Sequence, residues 1–91
     1  MKSIVRETVT DHGVVVTRGL VQNRAFKTKA ESRKAMEDAY HKVLVGFPGV
    51  KHVEVLHRDE IVLSIPSWNT AKDEPGWMVV KWEVATPEKT I

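Results

Sequence analysis

Cysteine is absent from the 91-residue sequence. That removes disulfide frameworks, thiolate zinc sites and a cysteine nucleophile together, and it is compatible with a reducing compartment. Long apolar runs are absent too. The opening MKSIVRETV holds no signal-peptide core, and no window reaches membrane-spanning length. A soluble, cytoplasmic setting is therefore expected, with no membrane partner. Glycine is too sparse for a phosphate-cradling loop, since Gly46 and Gly49 flank the end of a helical pattern rather than its start. Internal repeats and low-complexity segments are missing. Ser3, Ser32, Ser64 and Ser67 have no nucleophile elbow around them, and no Ser/His/Asp set follows from spacing. The carboxylates Glu37-Asp38, Asp59-Glu60 and Asp73-Glu74 are adjacent pairs in polar contexts. Such neighbours point apart, whereas acid–base chemistry needs a buried, converging pair. The expectation is a chain without catalytic residues, cofactor or metal.

What is present is one strong helical pattern over residues 28–46. Thr28 can cap it and Glu31 can reach back, the signature of a capping box. Met36, Tyr40, Val43 and Phe47, with Ala39 and Leu44 beside them, make an apolar stripe at helical spacing. Gly46 offers a left-handed exit, and Pro48 forbids continuation. Lys29, Arg33, Lys34, Glu37, Asp38, His41 and Lys42 are left for solvent.

Period-two patterns surround this helix. Residues 3–9 alternate Val5, Glu7 and Val9 against Ile4, Arg6 and Thr8. Asp11-His12-Gly13 supplies turn chemistry, and residues 14–21 give a second strand that Gly19 is expected to bend or bulge. Phe26 is expected to plug the end of the core. After the helix come strands at 50–57, at Glu60–Pro66 with Ile61, Leu63 and Ile65 on one face, and at Trp77–Ala85 with Met78, Val80, Trp82 and Val84 on one face. The expected fold class is α+β: one domain over residues 1–85, order ββαβββ, with one helix packed on one face of a five-stranded antiparallel sheet, and residues 86–91 as a frayed tail. One helix cannot cover both sheet faces. Ile4, Val62, Trp77 and Val79 fall on the uncovered side, so that face would curl around the helix or meet a partner, such as a second subunit.

Charge is unevenly spread. The formal net charge is +2, yet residues 18–34 alone carry +5 and residues 35–91 carry −3. Arg18, Arg24, Lys27, Lys29, Arg33 and Lys34 could therefore contact phosphates near a helix N-terminus, and Gln22 and Asn23 are residue types that read base edges. The plainer alternative is a solvated helix face with basic flanks. His52 and Glu54 share a strand face at a spacing that could seat a metal, but without a third ligand a polar sheet surface is the expected reading. His57 points the other way, and His12 is expected to be solvated in its turn. Three tryptophans lie within residues 68–82. Trp82 belongs to the inward set, while Trp68 and Trp77 are candidate interface anchors.

The run Phe26-Lys27-Thr28-Lys29-Ala30-Glu31 after strands, entering an Ala-rich helix, resembles the strand-then-helix pattern of small AP2-like DNA-binding domains of phage integrases across residues 3–45. Here two strands precede the helix and three follow it. In size, lack of cysteine and compact ββαβββ plan, the whole chain is similar to small accessory proteins of tailed phages, many of which bind a host protein. The resemblance implies a host macromolecule as partner. With that resemblance, the leading expectation is a non-catalytic interaction protein, plausibly phage-encoded, using Arg18, Arg24, Lys27, Lys29, Arg33, Lys34, Trp68 and Trp77 against a host macromolecule. The rival reading is a nucleic-acid-binding domain using the same cations.

Overall fold

Alternating β-branched and polar residues favour extended backbone with one face covered, and the chain uses that pattern to lay an antiparallel sheet beneath a single helix. The computed structural model describes residues 2–46 and 59–87, together with the backbone of 52–57. Expectations resting on Phe47, Pro48, Gly49 and the tail beyond Pro87 lie outside the described residues. Strand β1 spans Ile4–Asp11 and β2 Val14–Leu20; a single 3-10 turn, Val21–Asn23, leads to helix α1, Lys29–Gly46. Strands β3 (His52–His57), β4 (Glu60–Pro66) and β5 (Trp77–Ala85) follow. The sheet order is β2-β1-β5-β4-β3, antiparallel at every step. The chain is a small single α+β domain.

The central ladder joins β1 to β5 without a break, from Ile4↔Ala85 to Asp11↔Met78. Period two sends Val5 inward from β1, Ile61, Leu63 and Ile65 from β4, and Val80 and Trp82 from β5, and all six are buried. Helix α1 supplies Ala35 and Met36, and Phe26 closes one end at 2% exposure. Ala39, Tyr40, Val43 and Leu44 lie partly buried against this cluster. Trp82 is fully buried. Burying an indole removes about 150–250 Å² from water, worth about 4–6 kcal/mol at ~25 cal/mol per Å².

Trp82 also explains a carboxylate on the inner face. Glu7 stands directly opposite it in the ladder, and the indole Nε1 donates to Glu7 Oε2 at 2.7 Å. The buried donor is thereby satisfied. Tyr40 meets Trp82 edge-on at 6.3 Å between centroids.

The helix begins on Thr28, whose Oγ1 accepts from Glu31 N at 3.2 Å. Glu31 Oε2 in turn accepts from Lys27 N at 3.2 Å, one residue earlier than a standard capping box would have it. Ser32 is buried and meets Ser3 Oγ, while Ser3 Oγ also reaches Thr28 O at 3.1 Å. These hydroxyls, with the Ser3–Phe26 bridge, fasten the helix start to the start of β1.

Some expectations need correction. The irregularity in β2 is not at Gly19, which pairs regularly with Glu7; it lies between Val9 and Thr10, where Val16 is the extra residue. Gly46 ends α1 without a left-handed exit, since Gly13 is the one glycine with positive φ among the described residues. Ile4, expected on the open face, is buried at 8% exposure. The β1–β2 turn has positive φ at both His12 and Gly13, as a two-residue hairpin turn of the primed type requires.

Two glycines should respond in opposite ways to alanine. A Cβ on Gly76 would lie 2.3 Å from His12 Cδ2 and 3.1 Å from the Ser67 carbonyl, so Gly76→Ala should cost about 1–3 kcal/mol through overpacking. A Cβ on Gly46 meets nothing within 4 Å, so Gly46→Ala should stabilise by about 0.4–1 kcal/mol. Urea unfolding of both variants checks the pair.

Candidate interaction surface

The face of the sheet away from α1 is built by the alternate residues of each strand. Trp77, Val79, Lys81 and Glu83 come from β5, Val62, Ser64 and Pro66 from β4, and Arg6, Thr8 and Thr10 from β1. Pairing runs on past the end of β4. Ser67 N donates to Gly76 O at 2.9 Å, and Asn69 and Glu74 exchange backbone bonds at 2.8 and 3.2 Å. Alternation therefore keeps Trp68 on the same side as Pro66, which pairs with Trp77. The two indoles are diagonal cross-strand neighbours, with Cα atoms about 7–8 Å apart by ladder geometry. They are 57% and 50% exposed. Val79 continues the row, opposite Thr10, which pairs on its other side with the exposed Val15.

The backbone beneath this corner is pinned from the helix side. His12 is not a freely solvated turn residue: its side chain is 22% exposed, with Nδ1 lying 3.1 Å from Asp11 Oδ1. Its Nε2 donates to the Ser67 carbonyl at 2.7 Å, since a carbonyl oxygen can only accept. Ser67 Oγ donates to Asp11 Oδ1 at 3.1 Å, and His12 N donates to Trp77 O at 3.1 Å. The β1–β2 turn thus clips the residues adjoining both tryptophans. Sequence spacing gave no sign of the clip, because Asp11 and His12 are more than fifty residues from Ser67.

The cations do not join this corner. The start of α1 is fastened at the Ile4 end of β1, and Trp77 lies at the Asp11 end, seven residues away along the strand. At about 3.3 Å per residue that is roughly 23 Å. The cations are also divided among themselves. Arg33 Nε donates to Asp59 Oδ1 at 2.7 Å and Lys29 Nζ lies 3.7 Å from Asp59 Oδ2. The Arg24 guanidinium covers the Phe26 ring at 4.2 Å, with Nε donating to Gln22 Oε1. Lys27 and Lys34 make no ion pair among the described residues. Lys34 lines, with Arg24, Glu31 and Asp38, a shallow groove of about 190 Å³ beside α1. Arg18 stands apart on β2, opposite Thr8. The expected single surface is thus two: an apolar corner, and a basic helix start in which Asp59 offsets two of five cations.

Among the described residues no group of three His, Asp or Glu side chains could hold a metal. The side chains of His52, Glu54 and His57 lie outside the described residues. Among the described residues no helix is long and apolar enough to cross a membrane. No family model, curated protein or solved structure matches the chain.

Asp59 is the counter-charge that limits the basic end. Asp59→Asn should release Arg33 and Lys29 toward solvent anions and raise the salt concentration at which the protein leaves a heparin column. Unchanged elution would mean that the ion pairs do not restrain these cations in solution.

Proposed function

We propose that this protein is a non-catalytic binding module whose contact surface is the tryptophan corner, and that its partner is another protein. The observation that carries the reading is the presence of two half-exposed indoles, Trp68 and Trp77, at one corner of the sheet, on backbone held by the Asp11–His12–Ser67 clip. Large aromatic anchors on a preorganised backbone lose little conformational freedom on binding, and such residues dominate interface energetics. Val79 and Pro66 extend the apolar area, and Thr10 and Ser64 flank Val79 on either side.

A nucleic-acid role through Arg18, Arg24, Lys27, Lys29, Arg33 and Lys34 is the weaker alternative. A phosphate track needs cations at regular spacing along one surface; here Arg18 is on the sheet edge, Arg24 is stacked on Phe26, and Asp59 engages Arg33 and Lys29. The plan of the chain and its likeness to small phage accessory proteins are consistent with a host protein as the target.

Capture of partners on the immobilised protein separates the two readings. The double variant Trp68→Ala/Trp77→Ala should weaken retention about 30-fold or more, taking at least ~2 kcal/mol for an anchoring aromatic. Arg24→Ala/Lys27→Ala/Lys34→Ala should retain the partner. Retention should also survive a rise from about 50 to 200 mM salt, over which a phosphate-tracking complex loses orders of magnitude. Loss of binding in the basic variant, with the tryptophan variant intact, would transfer the function to nucleic acid.

A further inference from the structure

Strand β2 is an edge of the sheet, paired on one side only with β1. All seven of its residues are exposed. Helix α1 packs over β5 and β1, so neither face of β2 is sheltered, and Val14, Val15, Val16 and Leu20 are 64%, 46%, 54% and 37% exposed. Edge strands are ordinarily blunted by several charges, by proline or by a covering loop, because their unpaired N–H and C=O groups template further pairing. β2 carries no proline, lysine or acid, and its single charge is Arg18.

Arg18 is also the one residue on this edge with a directional demand. It shares the helix-free face with Thr8 and, one strand further, Lys81. Lys81 is held by Glu60 at 3.4 Å and Glu83 at 3.9 Å, whereas Arg18 has no acidic partner among the described residues. The site therefore combines an open backbone ladder, β-branched side chains and one uncompensated cation. We propose that the β2 edge receives an extended segment of another protein as an added strand, with β-branched or aromatic residues at alternate positions and a carboxylate facing Arg18. In this mode backbone hydrogen bonds supply affinity and alternate side chains supply specificity.

A second copy of the chain fits this edge less well. Antiparallel self-pairing over all seven residues has to centre on Thr17. That sets the bulged Val16 of each copy opposite the other's Arg18, interrupting the new ladder twice. It also places the two guanidinium-bearing residues diagonally across the junction, about 7–8 Å apart between Cα atoms, with no acid between them. A foreign strand need only match the regular stretch 17–20, in register with Arg6–Val9 of β1, and Val14-Val15 beyond the bulge.

This edge is distinct from the tryptophan corner, and the Trp68→Ala/Trp77→Ala variant should leave it intact, so failure of one does not imply failure of the other. The test is selection of a displayed random library of linear peptides, each roughly eight residues, about the length of a strand, on the immobilised protein. Selected peptides should alternate β-branched or aromatic residues and contain Asp or Glu. Amide NMR shifts on binding should concentrate in β2 and β1. Arg18→Glu, a change at an exposed position whose fold is verified by circular dichroism, should weaken binding about five- to tenfold, and Lys in place of the peptide's acid should restore it. No enrichment over empty support, or equal binding by Arg18→Glu, would overturn the proposal. So would concentration-dependent protection of the β2 amides without peptide, which would give the edge to a second copy.

Discussion

The Trp82 side chain, and the hydrogen bond from its indole to Glu7, hold the centre of this domain together. The two residues face each other across the β1–β5 ladder, which joins the first and last strands of the chain. That ladder is the longest-range pairing in the fold, so its entropy of closure must be offset by what the contact buries. An indole sealed from water, with Tyr40 of α1 against its edge, supplies that compensation. Glu7 is the less obvious member. A carboxylate facing the helix would be costly if unpaired, but here it accepts from the indole and keeps one side partly wet.

The same packing decides what is left outside. One helix over β1 and β5 covers the middle of one face, and leaves the opposite face, the β2 edge and the extension beyond β4 to solvent. The open face is mostly polar, as a solvated antiparallel face should be. Among its apolar residues the largest exposed side chains are Trp68 and Trp77, and the Asp11–His12–Ser67 clip ties down the backbone beside them. The cations, by contrast, serve in part to fasten the structure. Arg33 and Lys29 tie α1 to the turn before β4 through Asp59, and Arg24 lids Phe26. A basic stretch in sequence has become a set of local attachments in space.

Much of the fold was legible from periodicity. The inward set Met78, Val80, Trp82, Val84 and the set Ile61, Leu63, Ile65 were readable because period two is a local signal with one solution per strand. Thr28 was readable as a cap because its chemistry needs only three residues of context. Three features were not. The bulge at Val16 follows from matching β2 to β1, and Gly19 was the misleading local cue. The buried role of Ser3 and Ser32 depends on two segments meeting. The division of the candidate site into a tryptophan end and a cationic end depends on strand order and register, which no composition shift can report.

Exposure of two indoles beside one locked indole is the claim on which the functional reading stands, and hydrogen exchange of the three indole N–H groups tests it most directly. Trp82 should exchange slowly, protected by Glu7 and the core. Trp68 and Trp77 should exchange rapidly in the free protein and slow when the captured partner is added. Slow exchange at Trp68 and Trp77 in the free protein, or partner binding that leaves both fast while the amides of residues 24–34 shift, would contradict it.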